Sequence, residues 1–342
     1  MMRTLSYFLS VVVFFVLVGC SDGNEAILTK ATAVPPTNTA LPTPIPTIAV
    51  TNTAVPTPIP PTTQPTIEAT HEPTNQPTPQ PTNSPTPTPE PTLNGIPYSQ
   101  IIILPDKTIQ HMKEVYAQGQ EMGRDPHSFS KLGDSIIANA DFLTRFDLPG
   151  TYILGPYDYL QPVIDNFPGS WERFGVAIRI GLRAWGVFDP AWANKDWCEP
   201  NEVLIDCEIR LNNPAILIIH LGSNDLDANF DQFLRKTVER TLELGVIPIL
   251  LTKADRYEGD DNRNNNTIRQ VAVDYAVPLI DFDVVAATLP NRGIKEGDNV
   301  HLSGPLSHDY NLPEVYEKGH TVHNLTVLLM MDRIWKEVMS DG

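Results

Sequence analysis

The stretch Ile216-Leu217-Ile218-Ile219-His220-Leu221-Gly222-Ser223-Asn224-Asp225 decides the architecture of this chain. Its first six residues form a short apolar run, and the small polar residues that follow stop it at a turn. Together they read as a strand buried on both faces. The pattern recurs. Runs at 129–133, 176–180, 246–252 and 277–282 read as four more buried strands, with amphipathic helices at 230–244 and 267–275 between them. An earlier helix is expected at 106–120, with Asp106 as its cap and Ile109, Met112, Val115 and Tyr116 on one face, and a last one at about 320–338. Strands so continuously apolar, alternating with helices, predict a three-layer α/β/α, flavodoxin-like fold with a parallel sheet of about five strands. In open sheets of this kind ligands bind outside the carboxyl ends of the strands.

Toward the N-terminus the composition changes. Roughly half of the 33 prolines fall between Pro35 and Pro91, with Thr in most of the gaps and almost no charged or aromatic residues. Such a segment cannot bury a core and favours extended polyproline II. Residues 20–95 therefore read as a disordered Pro/Thr-rich stalk, reaching about 200 Å if straight. Residues 96–342 read as one folded domain, large enough for a well-buried sheet. At the start, Arg3 precedes an apolar run at 9–18 that is too short for a comfortable transmembrane helix, so 1–19 reads as an export signal. Leu17-Val18-Gly19-Cys20 resembles the bacterial lipobox, which implies that Cys20 is diacylated and becomes the mature N-terminus. The protein would then be exported and lipid-anchored to the outer face of a bacterial membrane or to the cell surface. An ordinary secretory signal, leaving a soluble protein, is the alternative.

The chain has three cysteines. If Cys20 carries lipid, Cys198 and Cys207 remain, and an exported domain favours a short-loop disulfide over two free buried thiols. Their spacing is not that of a metal or redox motif. With 24 basic against 41 acidic residues the formal charge is −17. Nucleic acid is excluded as a partner, because phosphate binding needs Lys and Arg to displace counterions. Anionic polymers and membrane surfaces are repelled for the same reason, which favours neutral or acylated substrates.

Three turns carry chemistry. Lys131-Leu132-Gly133-Asp134-Ser135-Ile136 places a hydroxyl just after the first strand, where it can face a cleft. A Gly-Asp-Ser turn is also ordinary turn chemistry. Asn224, after the third strand, can donate its amide to a developing oxyanion, or Asn224 or Asp225 can cap the following helix. Gly297-Asp298-Asn299-Val300-His301 follows the fifth strand. Its Asp-x-x-His spacing lets the carboxylate fold back on the imidazole Nδ1 and leaves Nε2 to face a nucleophile.

These blocks, in this order from residue 129 to the final helix, resemble the SGNH or GDSL-like hydrolase family. The resemblance implies that Ser135 is the nucleophile and its N–H an oxyanion donor, that Asn224 is a second donor, that His301 is the general base and that Asp298 orients it. It also implies a donor glycine after the second strand; Gly181 fits best, with Gly175 and Gly186 as alternatives. Two departures are Ile136 in place of the usual Leu and a long, polar segment at 304–319 that could shape the substrate pocket. The implied activity is that of a serine esterase or deacylase on an ester-bearing small molecule or acylated envelope glycan, with neither cofactor nor metal. An O-acyltransferase using the same residues and a non-catalytic glycan-binding module are the alternatives.

Other features read as structural. His308 and Asp309 lack a third metal ligand and read as surface polar residues. Asp260, Asn262 and Asn264 mimic the start of a calcium loop but lack its glycine and its last acidic residue, and read as a solvated loop. Arg179, Arg183 and Trp185 read as packing or surface positions, whereas the loop with Trp192 and Trp197 is a candidate rim because Cys198 and Cys207 hold it. The lipid anchor is testable directly. Labelled fatty acid should enter the wild-type protein in cells and not the Cys20→Ser variant; equal labelling of both would refute it.

Overall fold

A computed structural model describes residues 89–304 and 307–340, so the expected signal segment, Cys20 and the stalk as far as residue 88 lie outside the described residues. Contacts of the folded unit begin ahead of Ile96. Leu93 is buried, and the Asn94 side chain donates to Thr288 Oγ1 at 3.2 Å and to the Tyr316 carbonyl at 2.9 Å.

Five strands form the central sheet: β1 (Ile102–Ile103), β2 (Asp125–Gly133), β3 (Pro214–His220), β4 (Ile247–Leu251) and β5 (Leu279–Ile280). Their spatial order is β1-β5-β4-β3-β2. The pairs β2–β3, β3–β4 and β4–β5 are parallel, whereas β1 runs antiparallel to β5. The fold is thus α/β as expected, with a mixed sheet in place of a purely parallel one. Segment 176–180, expected as a strand, makes a single parallel bridge from Ile178 to Gly133 on the outer edge of β2. The Val176 and Ala177 N–H groups go to the Glu208 carboxylate instead of a ladder, and Ile180, read as core, is 79% exposed. The chain therefore steps outward from β2 to Ile178, then returns across β2 to form β3. This is the reversal that opens a crevice at the carboxyl ends of β2 and β3.

Helices α1 (Asp106–Glu121), α2 (Leu204–Asn212), α3 (Phe230–Glu243), α4 (Arg263–Asp274) and α5 (Gly319–Ile334) flank the sheet. Every residue of β3 is buried, as a strand covered on both faces requires. The α1 and α3 spacings emerge as expected, but Asp106 does not cap α1: Pro105 takes that position and Asp106 is the first helical residue. Helix α4 begins four residues early, because Asn264 and Asn265, which look like loop residues, turn their side chains inward to satisfy backbone groups. In α5 every residue but Arg333 is buried. Part of its cover comes from the segment after the His301 turn: Tyr310 is buried, donates its hydroxyl to the Thr321 carbonyl at 3.0 Å and packs edge-on against Tyr157. Cys198 and Cys207 form the expected disulfide, joining the preceding loop to α2.

Four histidines lie in the interior. His220, His308, His320 and His323 are each at most 2% exposed. Burial holds the first three down to about 4 and His323 well below 6.5. The folded protein keeps these rings neutral while the unfolded chain protonates them below about pH 6.5, so folding stability falls as pH drops from there toward 4. Asp134 and Asp225, pushed up by burial to about 7 and about 6, work in the opposite direction but are outnumbered. The unfolding temperature measured by calorimetry should therefore decline steadily from pH 7 to pH 4.5. A constant or rising value would contradict this balance.

Candidate functional site

Strands β2 and β3 present their ends to the same crevice, Gly133 pairing with His220 in the last rung. A Cβ on Gly133 would lie 2.3 Å from the His220 carbonyl oxygen, so no larger residue fits this rung. The chain then turns: Ala138 N–H donates to the Asp134 carbonyl at 3.0 Å, closing one helical turn around Ser135. The buried Asp134 carboxylate accepts the Ile136 N–H at 3.0 Å and the Asn224 amide at 3.1 Å. It thus ties the two strand ends together.

The Asp298–His301 turn stands across the crevice. Asp298 Oδ1 accepts the N–H groups of Val300 at 2.8 Å and His301 at 3.0 Å, and its Oδ2 lies 2.9 Å from His301 Nδ1. One carboxylate therefore holds both the turn and the ring. The His301 backbone N–H, then that of Val300, depresses its pKa far below the usual carboxylate range. An ionised Asp298 can only accept, so Nδ1 carries the proton, and in a neutral ring Nε2 is then the acceptor. Ser135 Oγ lies 3.0 Å from Nε2. The hydroxyl is aligned to give its proton to the ring.

Asn224 Nδ2 donates to the Leu182 carbonyl at 3.3 Å as well as to Asp134. Leu182 closes a turn with Arg179, whose N–H reaches the Gly133 carbonyl at 2.9 Å. Gly181 sits within that turn at φ +75, a conformation few other residues adopt, with open space over its α-carbon. The alternatives are committed elsewhere. A Cβ at Gly175 would collide with the Glu208 carboxylate, and one at Gly186 would press tightly on Trp192 and Leu182. Gly181 is thus the candidate whose turn adjoins both Asn224 and the β2 end. Asp225 does not cap α3: its Oδ1 accepts the Ala184 N–H at 2.9 Å, far back in sequence.

The remaining expectations divide. The surface reading fails for His308, which is buried and pairs with Asn324, whereas Asp309 pairs with Asn311 in a more open position. Among the described residues the one group of three ligand-type side chains within reach of a common metal is Cys198, Glu202 and Cys207, whose sulfurs are spent in the disulfide. The reading of 260–264 as a solvated loop fails for Asn264, which is buried and donates to the carbonyls of Gly222 at 2.8 Å and Asp225 at 2.7 Å. Its polar neighbours conceal it in the sequence. Arg179 Nε donates to the Trp192 carbonyl at 3.1 Å, and Arg183 faces Asp227 on the surface. Trp192 lines an open groove of about 600 Å³ with Arg179, Asn194 and Lys195, while Trp197 is 64% exposed.

No family model matches the chain, and no curated protein matches it. Among solved structures, similarity is found to an acetyl-xylooligosaccharide esterase, Axe2, from Geobacillus stearothermophilus, at 16% identity and a TM-score of 0.38, spanning 61% of this chain and 95% of that one. TesA is similar at 16% identity and a TM-score of 0.37, over 61% of this chain and 97% of its own.

The position of the Asn224 amide has a measurable consequence. With p-nitrophenyl acetate, Asn224→Ala should lower kcat by about 10²-fold while the unfolding temperature changes little. Normal specific activity in a destabilised protein would assign Asn224 to the fold instead.

Proposed function

We propose that this protein is a serine esterase or deacylase of the SGNH type. The observation that carries the reading is the continuous chain from Ser135 Oγ through His301 Nε2 and Nδ1 to the ionised Asp298. A free serine hydroxyl is a weak nucleophile at neutral pH, and an adjacent imidazole held in the correct tautomer removes that obstacle.

In the forward step Ser135 Oγ attacks the ester carbonyl and passes its proton to His301 Nε2. Asp298 stabilises the imidazolium without taking a proton itself. The tetrahedral oxyanion is met by the N–H groups of Ser135 and Gly181 and by the amide of Asn224, each such donor being worth about 10²- to 10³-fold in rate. Collapse expels the alcohol, protonated by His301, and leaves an acyl group on Ser135. Water, deprotonated by His301, then attacks the acyl-enzyme and releases the acid. In the resting structure both Asn224 amide hydrogens have protein acceptors; the longer bond, to Leu182, is the one to be exchanged for the oxyanion.

The substrate we assign is an acylated glycan of the cell envelope, reached by a domain that is exported and lipid-anchored through Cys20. Two features support this: the export signal read from the first residues and the net charge of −17, which disfavours polyanionic substrates. The site is tested by removing its parts. His301→Ala should reduce ester hydrolysis at pH 7 by several orders of magnitude, and Asp298→Asn by less. The double variant should be scarcely worse than His301→Ala, because groups acting as one unit give non-additive losses. Additive losses, or a fully active His301→Ala protein, would place the base elsewhere.

A further inference from the structure

A cluster of buried charge lies beneath the Gly222-Ser223-Asn224 turn, and the steps above do not use it. Lys253 is fully buried and Asp255 is 1% exposed. Lys253 Nζ donates to Asp255 Oδ1 at 2.8 Å, to the Asp255 carbonyl at 3.1 Å and to the Glu258 carboxylate. Its own N–H and C=O are clamped by the Asn265 amide at 2.8 and 2.9 Å. Burying ions is costly, and such clusters are weak devices for stability alone.

This cluster reaches the site through one contact. Asp255 Oδ2 accepts the Ser223 hydroxyl at 2.8 Å, and both residues are buried. Asp255 Oδ1 is taken by Lys253 and by the Tyr257 N–H at 3.1 Å, so the carboxylate cannot turn away. The first turn of α4 grips the turn a second time. Asn264 holds the carbonyls of Gly222 and Asp225, and Glu258 Oε1 accepts the Asn264 N–H at 3.4 Å. Asn224 is thus bracketed on both sides by residues that follow β4. The turn needs such support because Gly222 takes φ +116, where no helix or strand ladder holds the backbone.

We propose that Asp255 is a positioning residue: held by Lys253 and acting through the Ser223 hydroxyl, it fixes the turn that aims the Asn224 amide at the oxyanion. This rests on the esterase reading, since it requires Asn224 to act as a donor. A hydroxyl-to-carboxylate bond in a low-dielectric interior is a stiff, directional link. Small displacements of a catalytic donor are expensive in rate, about 10²-fold for one ångström.

Ser223→Ala tests the link while leaving all three charges in place, so it avoids the unpaired buried ion that Lys253→Met or Asp255→Ala would create. With p-nitrophenyl acetate, kcat should fall about ten- to hundred-fold with KM unchanged. Combined with Asn224→Ala, the substitution should cost almost nothing further, because the amide it positions is already gone. Unchanged kcat, a change confined to KM, or a loss that multiplies with that of Asn224→Ala would each overturn the proposal. If the wild-type protein hydrolyses the ester but Ser223→Ala is unaffected, only this inference falls. A wild-type protein inert toward esters would remove the esterase reading and this inference with it.

Discussion

The parallel register of β2 against β3 sets where every other part of the site can stand. Gly133 lies opposite His220, so the chain leaves both strands at the same height. Ser135 follows two residues after Gly133, and Asn224 four residues after His220. A slip of one residue would turn every strand side chain to the other face and put the Ser135 turn out of step with Asn224. The rung tolerates no Cβ at Gly133, which makes a single glycine the join between the sheet and the Ser135 turn.

From this crevice the carboxylates part into two kinds. Asp298 stands in a turn near solvent, its charge met by two backbone N–H groups and an imidazole. Asp134 is fully buried, and burial, aided by the charges of Asp255 and Asp225, raises its pKa to about 7. In the proposed mechanism the first stays ionised throughout and supports an imidazolium. The second borders the proposed oxyanion position, where a full negative charge would oppose the developing one. Environment separates the two acids by role.

Helix α5 supplies the back wall. Asn324 accepts the Leu143 N–H at 3.1 Å and donates to the Asp141 carbonyl at 2.7 Å, fastening the loop that follows Ser135. His323 packs 5.4 Å from His220 at the end of β3 and 4.5 Å from Phe282. Half of this helix is Val, Leu, Met or Ile and the rest polar residues or glycine, yet it is buried almost throughout, so it relies on the cover supplied by Tyr310 and its neighbours after the His301 turn. The long segment beyond His301 therefore has a packing role for α5 that its polar sequence conceals.

Local pattern was enough for much of this. The apolar runs at 216–221 and 246–252, the periodicity of α1 and α3, and the Asp-x-x-His spacing are properties of neighbouring residues, and each survives into the structure because burial and short-range geometry act on them directly. The pairing of Cys198 with Cys207 followed from counting. Tertiary structure decided the rest. Segment 176–180 is apolar enough for a strand, but the Glu208 carboxylate, more than thirty residues away, takes its amides. Asn264 looks like a surface residue, and it is buried because its partners, the carbonyls of Gly222 and Asp225, lie across strand ends that no local pattern relates. A sequence can reveal which residues prefer to be inside, but a buried polar group is stable only where distant groups satisfy it, and those are brought together by the fold.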